Sequence, residues 1–518
     1  MSKIFKMPKF IDNFLNRTTM YRLVLYVLIA LEIAAIALSA FGQLPFSPFA
    51  LVYSTMILIV VCWVTNSIFV KVFKTHANLE SFIITALILA LIVSPPQAHE
   101  YLSIIPFLIW AGIWAMAAKF ILAINKKHIF NPAALAVALT AITIGQSATW
   151  WIGALNMLPF VLVGGLLLTK KIRRFDLVIS FAVAAMAMIL VTSNLSIGLA
   201  PTLQRIFVDT PLFFFAFIML TEPLTTPPTR RRRIIYGVVT GLLFAPALHI
   251  GSFYSTPELA LLAGNILAFL ISPMRKYILT LTQSTEIAKS TGEFVFAPDH
   301  VVNFRPGQYL EWTLGTTASN PKIDNRGNRR YFTVASSPTE NDVRLGVKFF
   351  SESSTFKKGL AFLEPGDTIM AGQLGGDFVM PRDTTRKLVF IAGGIGITPF
   401  RSMIKYLIDK NEKRDIILLY SNNSLTEVAY TDIWVEAEEK LGAKIVCTLT
   451  DIANIPATWT GQRGQINATM IAQEVPDFIE RTFYISGPHG MVTACEKMLK
   501  GAGVPRNHIK TDYFPGFA

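Results

Sequence analysis

Residues 387–401 read KLVFIAGGIGITPFR. An apolar run from Leu388 to Ala392 passes into Gly393, Gly394 and Gly396, then into Thr398, Pro399 and the segment FRSMIKYLIDKNE, whose apolar residues recur with helical spacing. This is a buried strand, a tight turn, and a helix with proline in its first turn. Glycines there let backbone N–H groups approach a pyrophosphate, and the helix N-terminus adds a favourable dipole. A tight turn also needs glycine for steric reasons alone, so the flanking sequence has to decide. Downstream, IILLYS, TDIWVEAEEKLG, KIVCTLT, TFYISGP and MVTACEKMLKGAG alternate strand with helix. That pattern predicts an α/β parallel-sheet nucleotide-binding domain over residues 384–518. Upstream, YILTLTQST, GEFVFAP, QYLEWTL, RRYFTVASS and RLGVKFF are short alternating runs punctuated by Pro and Gly. They predict a Greek-key β-barrel over residues 276–383.

Residues 1–275 are of a different kind. The 518-residue chain is 52% hydrophobic and 16% charged, with a mean hydropathy of +0.47. These values indicate a membrane part. Ten apolar segments can be drawn, at 21–43, 48–70, 81–95, 101–124, 131–145, 155–169, 175–193, 206–222, 234–250 and 258–273. The expected fold is thus a polytopic α-helical membrane domain of about ten spans, ahead of the barrel and the sheet. LESFIITALILALIVSPP, NPAALAVALTAITIG and LFFFAFIMLTEPLTTPP are bounded by Pro or Asn and predict broken or re-entrant helices.

Charge supports a multi-pass arrangement. Lys+Arg against Asp+Glu is 20 against 8 for residues 1–275 and 27 against 26 for the remainder. Lys3 to Arg22, Lys71 and Lys74, Lys126 and Lys127, Lys170 to Arg174, Arg230 to Arg233, and Arg275 with Lys276 fall in every second connection. The opposite connections contain Arg205 alone. By the positive-inside rule both termini face the cytoplasm, and a cell (inner) membrane location follows. The start MSKIFKMPKFIDNF reads as a cytoplasmic leader. This charge does not imply a nucleic-acid partner.

Cys62, Cys447 and Cys495 lack CxxC spacing, which argues against zinc, a four-cysteine iron–sulfur cluster or a disulfide framework. No metal site is expected. His76, His128, His99 and His249 are not paired on one helix a membrane thickness apart, which argues against a bis-histidine haem pathway. Electrons moving through such a chain need organic cofactors. Glu80 and Glu222 stand at the edges of short Pro-flanked segments, where a carboxylate serves a cation, a flavin edge or a structural cap.

Several strings carry a resemblance. AGGIGITPF, FRPGQY at Phe304–Tyr309, RYFTVASSP at Arg330–Pro338 and YISGPHGMV at Tyr484–Val492 occur together and in order. Residues 277–518 thereby resemble the ferredoxin-NADP reductase superfamily, in which a flavin barrel precedes a nicotinamide-binding domain. The resemblance implies that Arg330 contacts the FAD pyrophosphate as a permanent cation and that Phe332 packs on the isoalloxazine. It places Tyr331 in the same cofactor-binding strand and Thr333 at the flavin N5 edge. Ser354 and Thr355 occupy the second phosphate-contacting turn. Gly393, Gly394, Gly396, Thr398 and Pro399 take the dinucleotide, with Gly487, Pro488 and Met491. Ser486 stands beside the nicotinamide, where many relatives have cysteine, so thiol involvement is not implied. Tyr513 and Phe514 fall where relatives place an aromatic near the flavin, and Phe514 is a gating candidate. SNNSLTEVAY after the IILLY strand has no Lys or Arg for a 2′-phosphate, which favours NADH over NADPH.

FNPAALA at Phe130–Ala136, HANLESFIITALI at His76–Ile88 and LTEPLTTPPT at Leu220–Thr229 resemble the membrane flavoprotein subunits of the sodium-pumping NADH:quinone reductase and the Rnf complex. That family carries FMN on the Thr of D-x-x-[ST]-G-A-T. The nearest string ends at Thr149 but has Thr143 for Asp and Ser147 for Gly. GQSATWW also reads as a polar loop followed by an interfacial pair, Trp150 and Trp151. The two resemblances imply a membrane-bound oxidoreductase passing electrons from cytoplasmic NADH or NADPH through FAD, and through FMN or riboflavin in the membrane, to a quinone or an extracytoplasmic acceptor. The alternatives are a redox-driven Na+ or H+ transporter, and a reductase whose membrane half only anchors it.

Overall fold

The computed structural model describes residues 11, 14–15, 18–73, 79–97, 100–124, 127–192, 204, 206–208, 210–251, 253–272, 275–315, 328–350 and 353–514. Two compact units divide the chain, Met1–Arg275 and Lys276–Ala518. The loops holding Lys3, Lys6, Lys9, Arg17, Lys74, His76, His99, Lys126 and Arg205 lie outside the described residues.

The first unit is helical. Its longer helices are α1 (Met20–Ala40), α2 (Pro48–Val72), α3 (Leu79–Ile92), α4 (Ile105–Ile121), α5 (Pro132–Ile144), α6 (Leu158–Ile172), α7 (Phe175–Thr192), α8 (Arg230–Leu243) and α9 (Pro257–Ile271). Sequence sets the ends. Ser47, Asn131 and Thr256 accept the first-turn amides of Ala50, Ala134 and Leu259, each with proline just inside the helix. Gly145 closes α5 at φ +68°.

These stops correct the expectation of about ten spans. Among the described residues four helical stretches are long and apolar enough to cross a bilayer: Met20–Ala40, Pro48–Val72, Leu155–Ile172 and Phe175–Thr192. Glu80–Ile92, Ile105–Ile121, Pro132–Ile144 and Pro257–Ile271 are shorter apolar helices. Thirteen residues, as in α5, rise only ~20 Å. Pro95 and Pro96, the Asn131–Pro132 cap and the Thr256–Pro257 cap cut the apolar runs before they reach a span's length. LFFFAFIM forms one α-turn, Leu212–Phe214, followed by a π-helical turn, Phe215–Met219. A contiguous apolar cluster fills the centre of the unit and includes Phe181, Phe214, Phe215 and Phe244.

The second unit begins with β1 (Tyr277–Ala288), β2 (Thr291–Pro298), β3 (Tyr309–Thr313), β4 (Arg329–Thr333), β5 (Val343–Lys348), α10 (Thr355–Ala361) and β6 (Thr368–Gly375). These six strands form one antiparallel sheet in the order β4-β3-β6-β1-β2-β5. The two edges meet where Ala335 N–H donates to Arg344 O at 2.9 Å, curling the sheet around Leu310, Trp312, Leu345 and Phe296. Then follow β7 (Leu388–Gly393), α11 (Thr398–Lys410), β8 (Ile416–Asn422), α12 (Thr431–Leu441), β9 (Lys444–Leu449), β10 (Gln462–Arg463), α13 (Ala468–Glu474), β11 (Thr482–Pro488), α14 (His489–Gly501) and β12 (Ile509–Phe514). All neighbours in this second sheet are parallel, in the order β10-β9-β8-β7-β11-β12. Chain order reverses between β7 and β11, and the crevice at the carboxyl ends of strands at such a switch is where α/β sheets bind ligands.

Candidate active site

The glycine turn lies at that switch point. Gly394–Ile397 form one 3-10 turn between β7 and α11, and Gly394 is at φ +50°. A Cβ on Gly396 would stand 2.5 Å from Ser486 O and 2.6 Å from Gly487 N. One on Gly393 would meet Met491 Sδ at 2.4 Å and Pro488 Cδ at 3.2 Å. Thus the turn, the end of β11 and the first turn of α14 form one cradle, bringing Gly393, Gly396, Ser486, Gly487, Pro488 and Met491 together. Thr398 closes the turn by donating its hydroxyl to Ile395 O at 3.2 Å, and Pro399 starts the helix. Ser486 is fully buried, and its hydroxyl has no hydrogen-bond partner among the described residues.

The barrel holds the other half. Alternation along β4 sends Arg330 and Phe332 to one face and Tyr331 and Thr333 to the other. Arg330 is 7% exposed, donates to Arg329 O at 2.7 Å and lies 5.5 Å over the Phe356 ring. Phe332 packs against the same ring, with centroids 5.8 Å apart. Phe332 is a member of the barrel core, so little of its ring is open to a ligand. Tyr331 is 41% exposed and donates to Glu311 Oε2 at 2.6 Å. Thr333 is buried, and its hydroxyl also lacks a partner among the described residues. Ser354 caps α10 by accepting from Lys357 N, which occupies one of its lone pairs; Thr355 is the first residue of that helix. The side chains of Tyr513 and Phe514 lie outside the described residues.

An unpartnered buried hydroxyl costs about 1–3 kcal/mol, and two of them close the motif strands of this unit. Thr333 ends β4 and Ser486 stands at the carboxyl end of β11. The side-chain-free turn at Gly393–Gly396 adds backbone amides at the start of α11. These donors fit a flavin edge, a carboxamide and a pyrophosphate. No cluster of three or more His, Cys, Asp or Glu occurs among the described residues. Burial pushes the thiols of Cys447 and Cys495 up to about 11, so neither is a thiolate at neutral pH.

A group that the sequence reading overlooked ties the two lobes of this unit. Arg401, three residues past Thr398, is 3% exposed and ion-paired with Glu340. Burial raises the Glu340 carboxyl, but the hydrogen bond and charge of Arg401 outweigh it and hold the group below the usual range. The signal was a charged residue on the apolar side of α11 and an acid three residues after Ser337.

In the first unit, Glu80 pairs with Arg22 at 2.7 Å, which favours the structural reading of that carboxylate. Glu222 accepts from Asn131 Nδ2 at 2.9 Å and Thr225 Oγ1 at 3.2 Å and lies 3.3 Å from His128 Nε2. Thr149 is exposed, its hydroxyl 2.8 Å from Ser94 Oγ. Trp150 and Trp151 are 5% and 8% exposed, so they are core residues and not an interfacial pair. Their indole N–H groups donate to Glu258 Oε2 and to Ala90 O and Val93 O.

A barrel followed by a doubly wound sheet with a glycine cradle at its switch point defines a two-lobed, dinucleotide-binding module. Residues 390–497 match the family described as oxidoreductase NAD-binding domain, and residues 152–278 match the NQR2, RnfD, RnfE family, so the two matches follow one another in a single chain. It is similar to an NADPH oxidoreductase of Mycobacterium tuberculosis, 27% identical over 40% of this chain and 52% of that one. It is also similar to the glycine betaine monooxygenase reductase subunit of Chromohalobacter salexigens, 26% identical over 43% of this chain and 59% of that one. The chain thus spans about half the length of the curated relatives it matches. Among solved structures, the flavohem-like FAD/NAD-binding domain of nitric oxide dioxygenase from Vibrio cholerae aligns at a TM-score of 0.40 and 19% identity, over 46% of this chain and 98% of that one.

Proposed function

We propose that the chain is a membrane-bound, FAD-dependent NAD(P)H oxidoreductase. The second unit takes hydride from cytoplasmic NADH, and electrons pass into the membrane unit to a quinone or an extracytoplasmic acceptor. Bound FAD supplies the conversion of one two-electron transfer into single-electron steps. The chain's own residues bind and orient. Arg330 neutralises the pyrophosphate on the flavin side, and the Gly393–Gly396 turn with the start of α11 takes that of the nicotinamide nucleotide. Phe332, as part of the barrel core, would support the strand that holds the flavin. Thr333 and Ser486 offer hydroxyls to the flavin N5 edge and to the carboxamide.

The observation that carries the reading is the pair of orphaned buried hydroxyls, Thr333 and Ser486, at the ends of the two motif strands. Full-length protein purified from membranes should show FAD absorbance that bleaches anaerobically with NADH. Protein that binds no FAD, or holds it unbleached, would end the proposal. Loop charge supports cytoplasmic termini, and a carboxyl-terminal reporter active only outside the cell would contradict this.

A second reading, redox-driven Na+ or H+ movement, is favoured by the half-buried Glu222 carboxylate among His128, Asn131 and Thr225. Sodium dependence of NADH oxidation, with charge movement in proteoliposomes, separates a pump from a plain reductase. If the first unit only anchors the second, residues 277–518 alone would reduce the natural acceptor as fast as the whole chain. FMN or riboflavin in the first unit is tested by mass measurement of extracted flavins.

A further inference from the structure

Arg401 makes contacts that folding alone does not call for. It sits in the first turn of α11, the helix that receives the nicotinamide nucleotide, yet its partners belong to the strand end that follows the flavin motif. Nη1 donates to Ala335 O at 3.2 Å, and Nη2 donates to Glu340 Oε1 at 2.9 Å while Nη1 meets the other carboxylate oxygen. Glu340 also accepts from Ser337 N at 2.6 Å. The next residue repeats the link, as Ser402 Oγ donates to Ser336 O at 2.6 Å. On its other side the guanidinium lies 5.7 Å over the ring of Tyr430.

A buried ion pair contributes little net stability compared with an apolar contact of the same volume. What a forked, two-point pair contributes is direction, because both N–H···O bonds must be met at once. Here the direction fixed is that of Ala335–Glu340, beginning two residues after Thr333, relative to α11, beginning three residues before Arg401. Hydride passes as H with its electron pair from nicotinamide C4 to flavin N5. The donor is oxidised and the acceptor reduced, and this requires the two atoms ~3–3.5 Å apart.

We propose that Arg401, through Glu340, is a positioning residue that sets the distance between the flavin-binding strand end and the nicotinamide-binding turn. It touches neither ligand, and the inference rests on the reductase reading above. The measurements use full-length protein in detergent and the variants Arg401→Met, Arg401→Lys and Glu340→Gln. In cofactor-free protein, amide hydrogen exchange in 335–344 and 398–404 should accelerate at least about tenfold in Arg401→Met, while exchange in the rest of both sheets stays unchanged. In FAD-loaded protein, the limiting rate of flavin bleaching should fall roughly 10- to 100-fold. FAD content and the calorimetric affinity for NAD+ should stay within about twofold. Arg401→Lys, which keeps the charge and loses the fork, should lie between wild type and Arg401→Met.

Unchanged exchange in those two segments overturns the proposal. So does a bleaching rate equal to wild type, or a rate that falls only together with FAD and NAD+ affinity, since each of these describes a general packing contact. If Arg401→Met does not fold, the isosteric Glu340→Gln decides by the same readouts. Failure of wild-type protein to bleach with NADH would overturn the reductase reading instead, with the exchange result still readable.

Discussion

The sulfur of Met491 lies 2.4 Å from the point where a Cβ on Gly393 would stand, so the first turn of α14 touches the end of β7 with no room for a side chain. Gly396 is as crowded, but by the backbone of Ser486 and Gly487 at 2.5–2.6 Å. The two positions should therefore respond differently. Gly396→Ala should cost about 1–3 kcal/mol of stability in denaturant and weaken dinucleotide binding, because a backbone cannot step aside. Gly393→Ala should be largely rescued by Met491→Ala, which removes a flexible end. Gly394→Ala, with open space around it but φ +50°, should cost about 1–2 kcal/mol from backbone strain alone. A Gly393→Ala loss that Met491→Ala does not relieve would contradict this geometry.

Thr333→Val and Ser486→Ala should have opposite effects on stability and on function. Each removes a buried hydroxyl that has no partner among the described residues. Cofactor-free protein should gain stability, by up to about 1–3 kcal/mol where the shape is kept. The bleaching rate with NADH should fall instead. A variant that loses stability without losing rate would show the hydroxyl to be an ordinary core group.

Much of the second unit was legible because its motifs are local. A strand, a glycine turn and a proline-started helix lie within 387–401, and the alternation along β4 sorts Arg330 and Phe332 from Tyr331 and Thr333. What could not be read required contacts across the fold. Arg401 and Glu340 are 61 positions apart in the chain. Burial of Phe332 depends on Phe356, supplied by α10. In the first unit hydropathy found the apolar segments but overcounted the spans, since segments such as 81–95 and 131–145 hold helices, Glu80–Ile92 and Pro132–Ile144, that are too short to count as crossings. Trp150 and Trp151 looked interfacial beside GQSAT, yet each indole N–H finds an acceptor in the core, which lets the rings go inside.

Strand β11 is tied at its start by Arg481, which bonds Asp477 Oδ1 at 2.5 Å and Asp415 at 2.7 and 3.0 Å. The hydrogen bond from Arg481, helped by Lys387, lowers the Asp477 carboxyl to about 2. A carboxyl depressed in the folded state contributes stability that is complete above its ordinary value of 3.8 and is lost as pH falls through about 2. Asp477→Asn should therefore melt lower than wild type at pH 7 and show a shallower loss between pH 4 and 2. Parallel acid profiles for the two proteins would show that Asp477 does not couple to folding.

Helices α7 and α8 approach through Gly237 and Gly241, spaced four apart on one face of α8. A Cβ on Gly241 would lie 2.5 Å from Phe181 O and 2.9 Å from Ala184 Cβ. In a bilayer, helices associate through such close packing and not through apolar burial. Gly241→Leu should lower the melting temperature of the detergent-solubilised full chain and its yield from membranes, with Gly241→Ala milder. Wild-type melting in both would mean the contact is not formed.

An ion pair beside the loop after β8 bears on nucleotide choice. The loop after β8, SNNSLTEVAY, has no cation of its own, but the fold brings Lys348 from β5 to within 2.7 Å of Glu427 Oε2. Asn423 Nδ2 donates to the same oxygen at 3.3 Å. Glu427 therefore neutralises the cation that a 2′-phosphate would seek, and its own charge would repel that phosphate. Glu427→Gln should leave bleaching by NADH within about twofold and improve the half-saturating concentration of NADPH by roughly tenfold, since ~1.4 kcal/mol of charge interaction corresponds to that factor. Lys348→Met in the same background should cancel the gain. If NADPH gains nothing from Glu427→Gln, the phosphate of that nucleotide binds elsewhere, and this ion pair does not decide between NADH and NADPH.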